Sequence, residues 1–172
     1  MKEALLIIDV QNDYFPGGAR ELYKPAEALE RIKELIAASR ESGRLVVYMQ
    51  HFNGPEDSFF KEGTPGAEIH AEIAPEDGDR VFVKRLPNSF LNTGLDEYLR
   101  GEGVEKLTVC GMMTHMCVDT SVRAASDLGY EVELVKAACA APDLSWNGHS
   151  IPAPVVNEVY MASLNGVFCT VV

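Results

Sequence analysis

Positive charge is scarce in this 172-residue sequence: 15 Lys and Arg stand against 26 Asp and Glu, a formal net charge of -11. No run of Lys or Arg occurs. Nucleic acid and anionic membrane surfaces both need concentrated basic charge, so neither is expected as a partner. Long apolar runs are missing too. None approaches the roughly 20 residues that cross a bilayer, and the opening MKEALLIIDV lacks the basic start and extended apolar stretch of a secretory signal. Cysteine is limited to Cys110, Cys117, Cys139 and Cys169, with no close CxxC pair. Without a secretion signal these read as free thiols in a reducing compartment, and a cytoplasmic location is expected. Neither GxGxxG nor GxxxxGK(S/T) follows a candidate strand, which argues against a nucleotide-binding module. Internal repeats and low-complexity tracts are absent.

What is present is ordinary globular material: 47% apolar and 24% charged residues, read as one domain over residues 1–172. Ala4–Ile8 is a continuous apolar run, fitting a strand buried on both faces. Gln11–Arg20 contains Pro16-Gly17-Gly18 and must be a loop. Pro25 can open a helix whose apolar face is Ala28, Leu29, Ile32, Leu35 and Ile36, closed by Gly43. Leu45–Met49 is a second buried strand. Gln50–Asp79 is a long irregular excursion with one short helix near Ala67–Ile73; loops of that length are usually functional. Arg80–Val83 is a third strand and Thr93–Arg100 a short helix. A fifth strand, Glu131–Val135, a second long loop, Ala137–Pro154, a helix at Val155–Leu164 and a strand at Val167–Val171 complete the chain. Helices alternating with unbroken apolar strands predict an α/β fold, a three-layer α/β/α arrangement around a mainly parallel sheet of about six strands.

The fourth strand and its helix, Leu107–Ala125, form the centre. Gly111 breaks the apolar run Leu107–Cys110, and Cys117 opens a helical pattern carried by Val118, Val122, Ala125 and Leu128. Free N–H groups and the positive dipole end at a helix N-terminus stabilise a thiolate, so this cysteine is a candidate nucleophile; a small buried hydrophobe is the other reading.

In parallel sheets the active crevice lies beyond the carboxyl ends of the strands. Asp9 follows strand one, Lys84 follows strand three, and Cys117 follows strand four across a turn. Taken singly, an aspartate there can cap a turn and a lysine can be a solvated edge residue. Together, a carboxylate, an ammonium and a thiol make a nucleophile with a base and a charge partner. Strands one and four are expected side by side at the topological switch point.

The motifs ALLIIDVQNDYF, GTPGAEIH, VFVKRLPNSFLNTGL and CGMMTHMCVDTSVRAASDLGYEV resemble those of the isochorismatase-like cysteine hydrolases. The matching segments run from Ala4 to about Pro142, and IPAPVVNEVYMASL is similar to the family's last helix. The resemblance implies a catalytic triad of Asp9, Lys84 and Cys117. It also implies a cis peptide at Met112-Met113, with the N–H groups of Met113 and Cys117 as an oxyanion hole. Gln11, Phe15, Phe59 and His115, which stands two residues before Cys117, are read as substrate-contacting, and a homo-oligomer, dimer or tetramer, is expected.

One departure stands out. Nicotinamidases of this superfamily bind a metal through Asp-x-His after the second strand and a histidine before the GTPGA motif. Here His51 stands in place of the aspartate, Asn53 in place of the first histidine, and Phe59-Phe60 precede GTPGA. No metal and no other cofactor is expected. The expected activity is hydrolysis of an amide, carbamoyl or ureido C–N bond in a small molecule through a thioester. Vinyl-ether hydrolysis, a redox thiol and a ligand-binding module are the competing readings. His70 and His149 are read as structural or solvated, and Trp146 as packing between loops.

Overall fold

Successive residues of β1 (Lys2–Ile8) feed two different cores, which is why the segment reads as unbroken apolar sequence. Leu5 and Ile7 pack with Val46 and Tyr48 against Ala28, Leu29, Ile32 and Ile36 of α1 (Pro25–Glu41). Ala4, Leu6 and Ile8 face the other way, with Val47 and Met49 of β2 (Leu45–His51). The computed structural model describes residues 1–172. Its remaining elements are β3 (Arg80–Lys84), α2 (Leu95–Gly101), β4 (Val104–Met112), α3 (Asp119–Asp127), β5 (Glu131–Ala140), β6 (Leu144–Trp146), β7 (His149–Ile151), α4 (Ala153–Leu164) and β8 (Thr170–Val171). Apolar side chains of α2, α3 and α4, among them Leu99, Val122 and Leu164, cover the second face. Each large aliphatic side chain so buried contributes roughly 1.5–3 kcal/mol.

Six strands form one sheet in the order β3-β2-β1-β4-β5-β8, every pair parallel. The chain runs outward from β1 through β2 to β3, then returns to place β4 on the other side of β1. This reversal opens a crevice beyond the carboxyl ends of β1 and β4. Close approach there depends on Gly111, which faces Ile8 in the β1–β4 register. Its φ is +129°, and a Cβ would overlap the Ile8 carbonyl oxygen and come within 2.7 Å of Ile8 N. No helix is long and apolar enough to cross a membrane.

The structure corrects several boundaries. Residues 65–73 hold two 3-10 turns, Pro65–Ala67 and Ala71–Ile73, rather than one helix. β5 extends to Ala140, past a register shift that accommodates the bend at Gly111. The following segment is not a plain loop. Asn147 and Gly148, both at positive φ, turn an antiparallel β6–β7 hairpin. Trp146 was expected to pack between loops, yet it is 78% exposed, because the hairpin pairs with itself and leaves this side chain on its solvent side.

Candidate active site

Each polar side chain at the crevice stands at the end of a strand or in the turn after one. Asp9 is the first residue beyond β1, with φ at +52°, a left-handed conformation that only a few non-glycine residues, aspartate among them, adopt readily. Its N–H donates to the Met49 carbonyl at 3.1 Å, which fixes the turn against β2. Lys84 ends β3 and His51 ends β2, and the two are paired in the parallel register. Cys117 lies in a π-type turn, Thr114–Val118, between β4 and α3. The peptide between Met112 and Met113 is cis.

Lys84 gathers the site. Its Nζ is 2.7 Å from Asp9 Oδ2, an ion pair without an aligned hydrogen bond. It donates to His51 Nδ1 at 2.8 Å and to the Leu86 carbonyl at 3.2 Å. His51 Nδ1 is in turn 3.6 Å from Asp9 Oδ2 and 3.8 Å from Cys117 Sγ. All four side chains are buried, so their mutual electrostatics are weakly screened.

That burial overturns one expectation. Cys117 was expected to favour the thiolate, but burial pushes its thiol well above the usual range, and the Asp9 carboxylate pushes it further. Lys84 pulls the other way without offsetting them. A thiolate desolvated beside a carboxylate is costly, and α3 begins only at Asp119, two residues on. The resting group is therefore the thiol.

Other sequence-derived residues are placed differently. Gln11 is engaged by the backbone of the fold. Its Nε2 donates to the carbonyls of His51 and Ala67, both at 2.8 Å, and its Oε1 accepts from His51 N–H at 2.8 Å. These contacts use both amide protons and one lone pair of the oxygen to clip the end of β2. Phe15 is buried with its ring 4.3 Å from that of His70. Phe59 packs at 4.9 Å from Phe60 and carries the Arg20 guanidinium at 5.0 Å. His115 turns toward α4, its ring 6.0 Å from Tyr160, and burial together with Arg20 lowers its basicity. A cavity of ≈ 510 Å³ is lined by Tyr23, Lys24, Glu27, Lys136 and Cys139 among others, and by none of Asp9, Lys84 and Cys117.

The Asp-x-His metal set of nicotinamidases has no counterpart in the geometry. Asn53 directs its amide to the Phe59 carbonyl at 3.1 Å, and Phe60 packs on Tyr14 at 4.5 Å. The donor atoms of Asp9, His51 and Cys117 do lie within 4.8 Å of one another. The Lys84 ammonium stands against two of the three, Asp9 at 2.7 Å and His51 at 2.8 Å.

The family model of the isochorismatase domain matches residues 3–153. The chain belongs to the isochorismatase family. It is 44% identical over 172 residues to the isochorismatase family protein YddQ of Bacillus subtilis, covering 99% of this chain and 96% of that protein. It is 37% identical over 149 residues to the streptothricin hydrolase of Streptomyces noursei, covering 83% of this chain and 53% of that enzyme. Among solved structures, N-carbamoylsarcosine amidase from Thermoplasma acidophilum superposes with a TM-score of 0.84 at 26% identity, covering 99% and 95% of the two chains.

His51 is the site residue that sequence reasoning left without a role. The strand-end rule that selected Asp9 and Lys84 applies equally to the last residue of β2. Ending that strand at Met49, two residues short of its observed end, put His51 in a loop.

Proposed function

We propose that this isochorismatase-family chain hydrolyses a C–N bond in a small amide, carbamoyl or ureido compound, with Cys117 as nucleophile. The observation that carries the reading is the dry Asp9–Lys84 ion pair set beside the Cys117 thiol. N-carbamoylsarcosine amidase supports the bond type by its name, and streptothricin hydrolase supports hydrolysis.

The chemistry follows from the resting protonation. The Cys117 S–H bond breaks as the proton moves to the Asp9 carboxylate, and the electron pair stays on sulfur to attack the substrate carbonyl carbon. Lys84 compensates the charge that then sits on sulfur instead of on Asp9. The N–H groups of Met113 and Cys117 hold the oxyanion, a kind of contact worth roughly 3–4 kcal/mol in the transition state. Collapse expels the amine, which takes the proton from Asp9 and leaves a thioester. Asp9, again a carboxylate, draws a proton from water; hydroxide adds to the thioester, and the sulfur leaves and regains a proton. Since the thiolate is formed only by transfer to Asp9, Asp9 is needed in both half-reactions.

The test is an ammonia-release screen over small amides, carbamoyl compounds and ureas, with Cys117→Ala as control. Release that persists undiminished in the control overturns the reading.

A further inference from the structure

An ammonium has three protons, yet Lys84 Nζ stands among Asp9 Oδ2, His51 Nδ1, the Leu86 carbonyl and the neighbouring Cys117 sulfur. Its partners therefore exchange when the charge on sulfur changes. In the resting site Lys84 Nζ lies 2.8 Å from His51 Nδ1, which accepts in the tautomer that carries its proton on Nε2. Once Asp9 has taken the thiol proton, the new Asp9 hydroxyl needs an acceptor. Among the side chains of this buried cluster there are two: the thiolate it came from, and His51 Nδ1 at 3.6 Å from Oδ2. Donation back to sulfur undoes the activation.

We infer that His51 is a positioning residue that accepts the Asp9 hydroxyl through Nδ1 while Lys84 turns to the thiolate, holding the proton away from sulfur during attack. The inference rests on the proposed nucleophilic role of Cys117 and names a further residue of that same site. The Oδ2–Nδ1 gap needs only a small side-chain shift to reach hydrogen-bond length, about 2.7 Å. The ring is held for this task from behind. Gln11 bonds both the N–H and the carbonyl of His51, and register pairing sets His51 beside Lys84. No other side chain fills the place: Asn53 is turned to Phe59, and Gln50 donates to the Ala67 carbonyl at 2.9 Å.

The test uses three variants and two readouts. His51→Asn keeps an acceptor near the Nδ1 position, His51→Gln places one near Nε2, and His51→Leu keeps neither. The first readout is the rate at which iodoacetamide alkylates Cys117, which needs no substrate. The second is kcat and KM on whichever amide the screen finds. His51→Leu and His51→Gln should slow alkylation about tenfold to a hundredfold and lower kcat in step, with KM changed less than about twofold. His51→Asn should recover most of both. Alkylation in His51→Leu as fast as in the wild type overturns the inference, as does rescue by glutamine and not asparagine. If His51→Leu does not fold, the asparagine–glutamine pair decides alone. A chain that hydrolyses no amide, yet shows the asparagine rescue in alkylation, fails the proposed function while keeping the role of His51.

Discussion

Lys84 Nζ lies 2.7 Å from Asp9 Oδ2, and both side chains are fully shielded from solvent. Removing one member of such a pair leaves the other charge buried alone, which costs about 3–5 kcal/mol. Lys84→Met should therefore lose about that much stability as well as turnover. The double variant Asp9→Asn with Lys84→Met should regain most of the stability and none of the activity. Urea denaturation of the two proteins checks this; equal instability in both would show that the lysine's packing matters more than its charge.

Cys117 is expected to be the first thiol that a small haloacetamide modifies, with activity lost in step. Because the resting thiol is held protonated by burial and by Asp9, the rate should climb steadily from neutral to mildly alkaline pH without a plateau. A thiolate-favouring cysteine would level off instead. Cys110 is sealed within β4, and Cys139, whose thiol burial raises to about 12, lines the ≈ 510 Å³ cavity. Cys169, its thiol raised less, to about 11, by burial with Arg123 opposing, is the stronger competitor of the two. Mass spectrometry of partly inactivated protein decides, and label on Cys169 with Cys117 free at half activity would reassign the nucleophile.

Gly111→Ala should destabilise the fold by about 2–5 kcal/mol, combining a positive φ with overpacking against Ile8 backbone. Gly43→Ala has a positive φ of +70° but nothing within 4 Å of its added carbon, so its cost should stay near ~1–2 kcal/mol. Similar melting temperatures for the two variants would contradict the tight β1–β4 contact.

Stability should fall in alkali. The thiols of Cys139 and Cys169 are raised by burial from 9.0 to about 12 and about 11. A group whose folded-state pKa is raised keeps its full contribution below the unfolded value and loses it as pH climbs toward the folded one. The melting temperature should hold below pH 9.0 and decline toward about 11. A Cys139→Ala, Cys169→Ala protein should show a shallower decline; an unchanged slope would assign the effect to the buried tyrosines instead.

Much of this molecule is written locally. Alternation of Leu5, Leu6, Ile7 and Ile8 between two cores makes a continuous apolar run, so the strands and their parallel arrangement were legible. Asp9 and Lys84 were legible as residues at strand ends, and Cys117 as the cysteine after Gly111, because apolar runs stop where chemistry begins. What the sequence could not determine depends on partners distant in the chain. Only the β2–β3 register sets His51 beside Lys84, and only the Asp9 turn brings a carboxylate to within 3.6 Å of that ring. The fate of Gln11 was settled by backbone groups 40 and 56 residues away. The protonation of Cys117 was settled by how completely the core closes over it. Periodicity reports which face of an element is buried; register, desolvation and the sharing of one ammionium's protons exist only once the elements have met.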